Sequence, residues 1–430
     1  MLVTHRFKGL TTHSHFFTVP LDHSRLNGDT IRVFGREVVA TSRENDALPW
    51  LVFLQGGPGF GSPRPEENSG WLKQALQEYR VLLLDQRGTG LSTPVTHQTL
   101  TRFTSPVVMA DYLKLFRADA IVQDAELIRK QLAGTQTRWS ILGQSYGGFC
   151  AVHYLSVAPH GLREVYITGG LPSLYRLAED VYRATYQRVR HKNDLFYTRY
   201  PDDEVRVQEV IKTLTNQNTV LPGGGLLSPR RFQQLGLGFG ASNGFEELHY
   251  LLEDAFVEGP HGTELSYAFL RGVENIQSFD MNPIFAILHE SIYCQGTASN
   301  WAAERIRKEY PEFELSPARR VLFTGEMIYP WMFDEYACLQ PLKEAAHLLA
   351  EYEGWPRLYD VPTLQANTVP CAASVYYNDM YVERTYSEET ARTIRGIKTW
   401  VTSEYEHNAL RADGEKVLGH LMALLRGEIG

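Results

Sequence analysis

Ser145 stands at the centre of Gly143-Gln144-Ser145-Tyr146-Gly147-Gly148, between the apolar run TRWSILGQS at 137–145 and the helix-like FCAVHYLSVAP that follows. Gly-x-Ser-x-Gly between a strand and a helix lifts a serine hydroxyl clear of a sheet and makes it a nucleophile. Gly143 and Gly147 suit such a turn, because a Cβ at either place would collide with neighbouring backbone. The free N–H groups that open the following helix bring partial positive charge to the same point. The chemistry implied is attack on a carbonyl carbon. It needs two further parts: N–H donors for the negative oxygen that develops, and a base oriented by a carboxylate.

For the donors, one N–H follows the nucleophile, at Tyr146, and the other is expected from the loop after an earlier strand. LVFLQGGPGFGSPRP at 51–65 fits that place, since an apolar run breaks there into glycines and prolines. Gly56 and Gly57 let the backbone turn an N–H inward and approach a substrate closely, while Pro58 stiffens the loop. Gly57 is the expected second donor, with Gly56 its rival. Loss of one such donor raises the barrier by roughly 3–4 kcal/mol.

The order nucleophile, acid, histidine leaves few choices for the base. Of 14 histidines, only His407 and His420 lie beyond the last strand-ending acid. His420 falls in the helical KVLGHLMALL, a surface or packing position. His407 follows the strand-like KTWVTSEY in a short polar loop, from which an imidazole can reach Ser145. Asp379 ends the apolar run VPCAASVYYN and is the expected acid; Asp360 and Glu326 are its rivals.

Composition narrows the class. The net charge is −8 and no long basic run occurs, which argues against nucleic acid or an anionic membrane surface as partner. The four cysteines, Cys150, Cys294, Cys338 and Cys371, are widely spaced and lack any Cys-x-x-Cys, so buried thiols are expected rather than a metal site. No stretch of about 18 apolar residues occurs, and MLVTHRFKGLTTHSHFFTVP shows no apolar leader core, so a cytoplasmic, soluble enzyme is the expectation.

Elements that could hold these groups in place are legible. HFFTVPL and TIRVFGREVVA alternate like antiparallel strands. PWLVFLQ, YRVLLLDQRG, TRWSILGQS and REVYITGG are continuous apolar runs, as in strands covered on both faces. ADAIVQDAELIRKQLAG, apolar at Ile121, Ala125, Ile128 and Leu132, reads as an amphipathic helix between two of them. Strands alternating with helices give a mostly parallel, doubly wound α/β sheet. The pattern lapses after about 172 and resumes in NTVPCAASVYYND and IKTWVTSEYEH, before a last helix, GEKVLGHLMALLRG. The expected division is a core over 1–172, a large, mainly helical cap over 173–365, and the rest of the core over 366–430.

Three linked stretches, QGGPGFGSP, LLLDQRGTGLS and GQSYGGF, resemble the proline iminopeptidases (prolyl aminopeptidases) of the α/β-hydrolase fold. YYNDMYV and EYEHN resemble that family's acid-bearing strand end and histidine loop. The resemblance implies a serine aminopeptidase that releases N-terminal proline from short peptides through an acyl-enzyme, with no metal or cofactor. Ser145, Asp379 and His407 would be its triad. It also implies a cap carboxylate for the substrate's amine. Glu290, in an apolar helix with Glu-x-x-Tyr spacing to Tyr293, is similar to the family's amine-binding segment, and Glu326 in FTGEMIYPWMF is the second candidate. Asp85 and Arg87 of DQRG are expected to brace the oxyanion loop through a buried ion pair. Tyr146, Phe149, Tyr329 and Trp331 are candidates to wall a flat proline pocket. Two departures stand out: Gln55 replaces the usual histidine before GGPG, and the second cap glutamate near a tryptophan has no clean counterpart. An esterase or other acyl hydrolase on the same machinery is the alternative, because fold alone does not assign substrate.

Overall fold

The computed structural model describes residues 3–25, 27–260 and 262–429. Its centre is a nine-stranded sheet built from β1 (Val3–Phe7), β2 (Leu10–Pro20), β3 (Thr30–Ala40), β4 (Trp50–Leu54), β5 (Arg80–Asp85), β6 (Trp139–Gln144), β7 (Leu162–Thr168), β10 (Cys371–Tyr376) and β11 (Ile397–Thr402). Two short strands, β8 (Phe256–Gly259) and β9 (Gly262–Leu265), form a separate hairpin. The spatial order is β1-β2-β3-β5-β4-β6-β7-β10-β11. The first three strands pair antiparallel and β3 joins β5 the same way; from β5 to β11 every pairing is parallel.

The short apolar runs become strands because each is covered on both faces. Along β4, Val52 and Leu54 join one core while Leu51 and Phe53 join the other. The first core is closed by helices Ala118–Leu132 and Tyr146–Val157, the second by helices Gly70–Ala75 and Gly414–Arg426. Residues Ile121, Ala125 and Ile128 of the first helix are buried, as its periodicity requires.

Strand order fixes where a site can form. The chain runs from β4 outward to β5, then crosses back to place β6 on the other side of β4. Ligands in open α/β sheets bind at such a reversal, beyond the carboxyl ends of the strands. Leu54 pairs with Gly143 across this switch point, so the loop after β4 and the turn after β6 begin side by side.

Between β7 and β10 the chain leaves the sheet for a run of helices and the short β8–β9 hairpin. A third core holds this region together, with Phe196 packed against Phe239, Phe245 and Phe323 at centroid distances of 5.0, 5.8 and 6.0 Å. Segments after β5, including Leu100, Leu113 and Phe116, pack into the same core. Cys150, Cys294 and Cys371 are buried free thiols, and Cys338 is half-buried. Among the described residues, no helix is long and apolar enough to cross a membrane.

Candidate active site

Ser145 sits at the junction of β6 and helix Tyr146–Val157 with φ 54° and ψ −124°, a conformation that non-glycine residues rarely adopt. The turn is held by Ser145 N–H donating to the Thr168 carbonyl at 2.9 Å and by Gly148 N–H donating to the Ser145 carbonyl at 2.7 Å. The glycines around it are steric necessities. A Cβ on Gly143 would run into the Gly147 carbonyl, and one on Gly147 would land on the carbonyl of Leu54. Strain of this kind persists only where the surroundings over-determine it, and it is characteristic of functional turns.

The loop after β4 lies against the nucleophile. A Cβ on Gly56 would come within 2.8 Å of the Ser145 Cβ, so only glycine lets this backbone approach so closely. Gly57 has φ 135°, open to glycine alone in practice. Gln86 braces the loop by donating its amide N–H to the Gln55 carbonyl at 3.0 Å. Asp85 helps as well: its carboxylate accepts from Ser62 N–H and Leu91 N–H, both at 2.9 Å, and pairs with Arg64. The expected Asp85–Arg87 pair does not form. Arg87 turns to Asp124 and to the carbonyls of Pro20, Leu21 and Leu115, tying β2 to the neighbouring helix instead.

Asp379 follows β10 and His407 follows β11, and both are buried. Asp379 Oδ2 lies 2.7 Å from His407 Nδ1, while its other oxygen accepts from Tyr381 N–H at 2.8 Å and Val382 N–H at 3.1 Å. The imidazole packs edge-to-face against Tyr381 at 4.7 Å and lies beside Gly169, where a Cβ would come within 3.1 Å of Nδ1. Gly169 directly follows Thr168, the residue whose carbonyl holds Ser145, so imidazole and hydroxyl share one rim of the sheet. His407 N–H also donates to the Gly240 carbonyl, at 3.1 Å, which belongs to the region between β7 and β10. Burial works against protonation of His407, yet the charge of Asp379 and the hydrogen bond to it hold the imidazole above its ordinary value, with Glu326 adding to the effect.

Ser145, His407, Gln55, Gly56, Gly57 and Glu326 line one cavity of about 750 Å³. Burial raises the Glu326 carboxyl to about 8; His407 pulls it down and Asp379 pushes it up. Of the two cap candidates, this is the one that faces the nucleophile. Glu290 does not: its carboxylate accepts from Ala302 N–H at 3.1 Å and Ala303 N–H at 2.9 Å, closing the open N-terminus of helix Ala302–Arg307. Glu290 falls just past the apolar helix Pro283–Leu288, in the short turn Glu290–Tyr293, and two backbone amides supply the partner its charge needs.

The rival residues fall elsewhere. Asp360 caps helix Val361–Gln365 by accepting from Thr363 N–H, and His420 stacks on Trp400 at 3.9 Å. Tyr329 and Trp331 stack on each other at 5.5 Å within the cap core, with the Tyr329 hydroxyl 2.9 Å from that of Tyr186. Tyr146 and Phe149 lie beneath the elbow in the sheet core, at 6.1 Å. The aromatic rings on the cavity wall are instead Phe60, Tyr250, Phe285 and Tyr381. Tyr381 and the bracing amide of Gln86 were within reach of the sequence motifs, each lying within two residues of a motif acid. The Gly240 carbonyl carries no local signal.

A family model described as alpha/beta hydrolase fold matches residues 49–202. Proline iminopeptidase from Aeromonas sobria is 53% identical over 419 residues, covering 97% of each chain. A proline iminopeptidase from Aspergillus aculeatus is 37% identical over 420 residues, covering 96% of this chain and 93% of that one. Among solved structures, proline iminopeptidase of Mycobacterium smegmatis is 14% identical, covers 96% of this chain and 98% of its own, and superposes with a TM-score of 0.46. On identity sustained over nearly the whole of both chains, this protein belongs to the proline iminopeptidase family of α/β-hydrolase enzymes.

Proposed function

We propose that the chain is a serine aminopeptidase releasing N-terminal proline from short peptides through an acyl-enzyme. The observation that carries this reading is one cavity bounded by a strained serine, a carboxylate-held imidazole and a half-buried carboxyl, Glu326. The relatives at 53% and 37% identity bear the name proline iminopeptidase, which supports proline as the released residue.

In the reaction, Ser145 Oγ attacks the carbonyl of the first residue and passes its proton to His407 Nε2. Asp379, on Nδ1, holds the tautomer and stabilises the imidazolium. Tyr146 N–H opens its helix and has no carbonyl one turn back to bond, which leaves it free for the developing oxyanion. Gly57 N–H is the second donor, with Gly56 backing closely onto the nucleophile. His407 then protonates the departing amine, and water reverses the sequence to free the acid. Glu326 receives the substrate's N-terminal ammonium. That contact fixes the cut at one residue from the end, because an internal peptide brings no cation to it.

The test is a panel of amino-acid arylamides together with a short acyl ester. Proline arylamide should be turned over fastest among the amides, and Ser145→Ala should abolish the activity. Ester hydrolysis with no proline arylamide turnover, by protein whose Ser145 reacts with a fluorophosphonate, would leave a serine hydrolase but not an aminopeptidase.

A further inference from the structure

His289 follows helix Pro283–Leu288 and has 1% of its surface exposed. Neither of its ring nitrogens has a hydrogen-bond partner. One unpaired buried polar group costs about 1–3 kcal/mol, and this ring carries two. Its neighbours offer no relief: the imidazole meets Phe285 edge-on at 5.3 Å and Tyr293 at 5.9 Å. Among the described residues, the acidic side chain within 4.0 Å is that of Glu326, whose Oε2 lies 3.8 Å from His289 Nε2. That is too long for a hydrogen bond, but a side-chain adjustment of less than about 1 Å would make one.

The charge states explain why the gap stays open before substrate arrives. Burial pulls the His289 imidazole down to about 3, so the ring is neutral and carries one N–H. Glu326, at about 8, is mostly protonated at neutral pH. Between a neutral imidazole and a protonated acid a hydrogen bond is worth about 1 kcal/mol, roughly half of one made to a carboxylate. A cationic amine changes the balance, because it draws Glu326 into its carboxylate form and makes it a strong acceptor. The other titratable groups that face Glu326 are His407, Asp379 and Tyr381 from the core, and Tyr182 and Tyr293 from the cap. Asp379 and His407 hold each other, and Glu290, next to His289 in sequence, is committed to Ala302 and Ala303.

We propose that His289 is the positioning residue of the amine subsite, its Nε2–H closing onto the Glu326 carboxylate when the substrate's N-terminal ammonium binds. This rests on the reading of Glu326 as the amine acceptor. The orphaned imidazole is then a donor held in reserve, and the bond it lacks in the free enzyme is one it makes only with substrate present.

Three substitutions test it. His289→Leu keeps the bulk and removes the donor; KM for proline arylamide should rise about tenfold, the worth of a hydrogen bond to a charged group, with kcat little changed. Its thermal stability should equal or exceed that of the wild type, because two unpaired nitrogens are gone. His289→Gln sets an amide N–H where Nε2 stood and should recover most of the lost affinity. His289→Asn places its amide at the Nδ1 position and should not. An unchanged KM in His289→Leu overturns the proposal, as does equal behaviour of the Leu and Gln variants, or a uniform loss of activity and stability in all three. Glu326→Gln in the same assay separates the two levels. An unchanged KM there removes the amine reading and this proposal with it, whereas a raised KM there beside an unaffected His289→Leu removes this proposal alone.

Discussion

Replacing Glu326 by glutamine makes a prediction with a sign, a size and a pH window. A carboxyl of ordinary midpoint 4.5 that titrates near 8 is almost fully protonated in the empty site at pH 6.5. An N-terminal ammonium, whose own midpoint is about 8, is almost fully charged at the same pH. Seating the cation on a carboxylate therefore expels about 0.9 proton per ligand bound at pH 6.5. Affinity should rise close to tenfold per pH unit over that range and flatten as pH approaches 8. Titration calorimetry of a proline amide into Ser145→Ala protein, in buffers of different ionisation enthalpy, reads the proton count directly. The double variant with Glu326→Gln should release far fewer protons and bind roughly ten- to a hundredfold more weakly, the loss of one hydrogen bond to a charge. Folding gives an independent reading of the same group. Its folded-state midpoint lies above the unfolded one, so the stability of the wild type is undiminished below about 4.5 and is lost as pH climbs through 8. Each pH unit of that window is worth about 1.4 kcal/mol, so Glu326→Gln should gain on the order of 3–5 kcal/mol relative to wild type between pH 4 and pH 8.5. Equal proton release by both proteins, with parallel stability curves, would refute the reasoning.

Asp379→Asn should lower kcat by roughly 10³–10⁴ while leaving KM and fold largely intact, because the amide can favour the wrong imidazole tautomer; steady-state kinetics with a melting curve would check it. Gly147→Ala forces a methyl onto the Leu54 carbonyl and should abolish fluorophosphonate labelling of Ser145 as well as turnover. Gln86→Leu removes the donor to the Gln55 carbonyl and should lower kcat about tenfold with a small change in KM, since a loosened oxyanion loop weakens the transition state more than the ground state.

The strands, and the strand ends that carry Ser145, Asp379 and His407, are legible in the sequence because their causes are local. An elbow needs glycine on both flanks of its serine, a doubly covered strand needs an unbroken apolar run, and the acid must end a strand. The region between β7 and β10 is less legible because its roles are settled by contacts far apart in sequence. Glu290 and Glu326 look alike as isolated acids in apolar text, and only the arrival of Ala302 and Ala303 at one of them decides which is satisfied internally. Arg87 was misassigned for the same reason: its partner, Asp124, lies 37 residues away on a helix, whereas Asp85 is merely close in sequence. Tyr146, inside a motif, is core, while Phe285, outside every motif, lines the cavity.

The link from His407 N–H to the Gly240 carbonyl, reinforced by the Tyr381 hydroxyl bonded to the Leu237 carbonyl, has a consequence for redesign. Gly240 and Leu237 lie between β7 and β10, so that region latches the loop bearing His407. Pruning it to admit bulkier peptides would also unmoor the imidazole. Enlargement of the pocket should therefore spare residues 237–240 and begin at other lining residues, such as Tyr250 and Leu251.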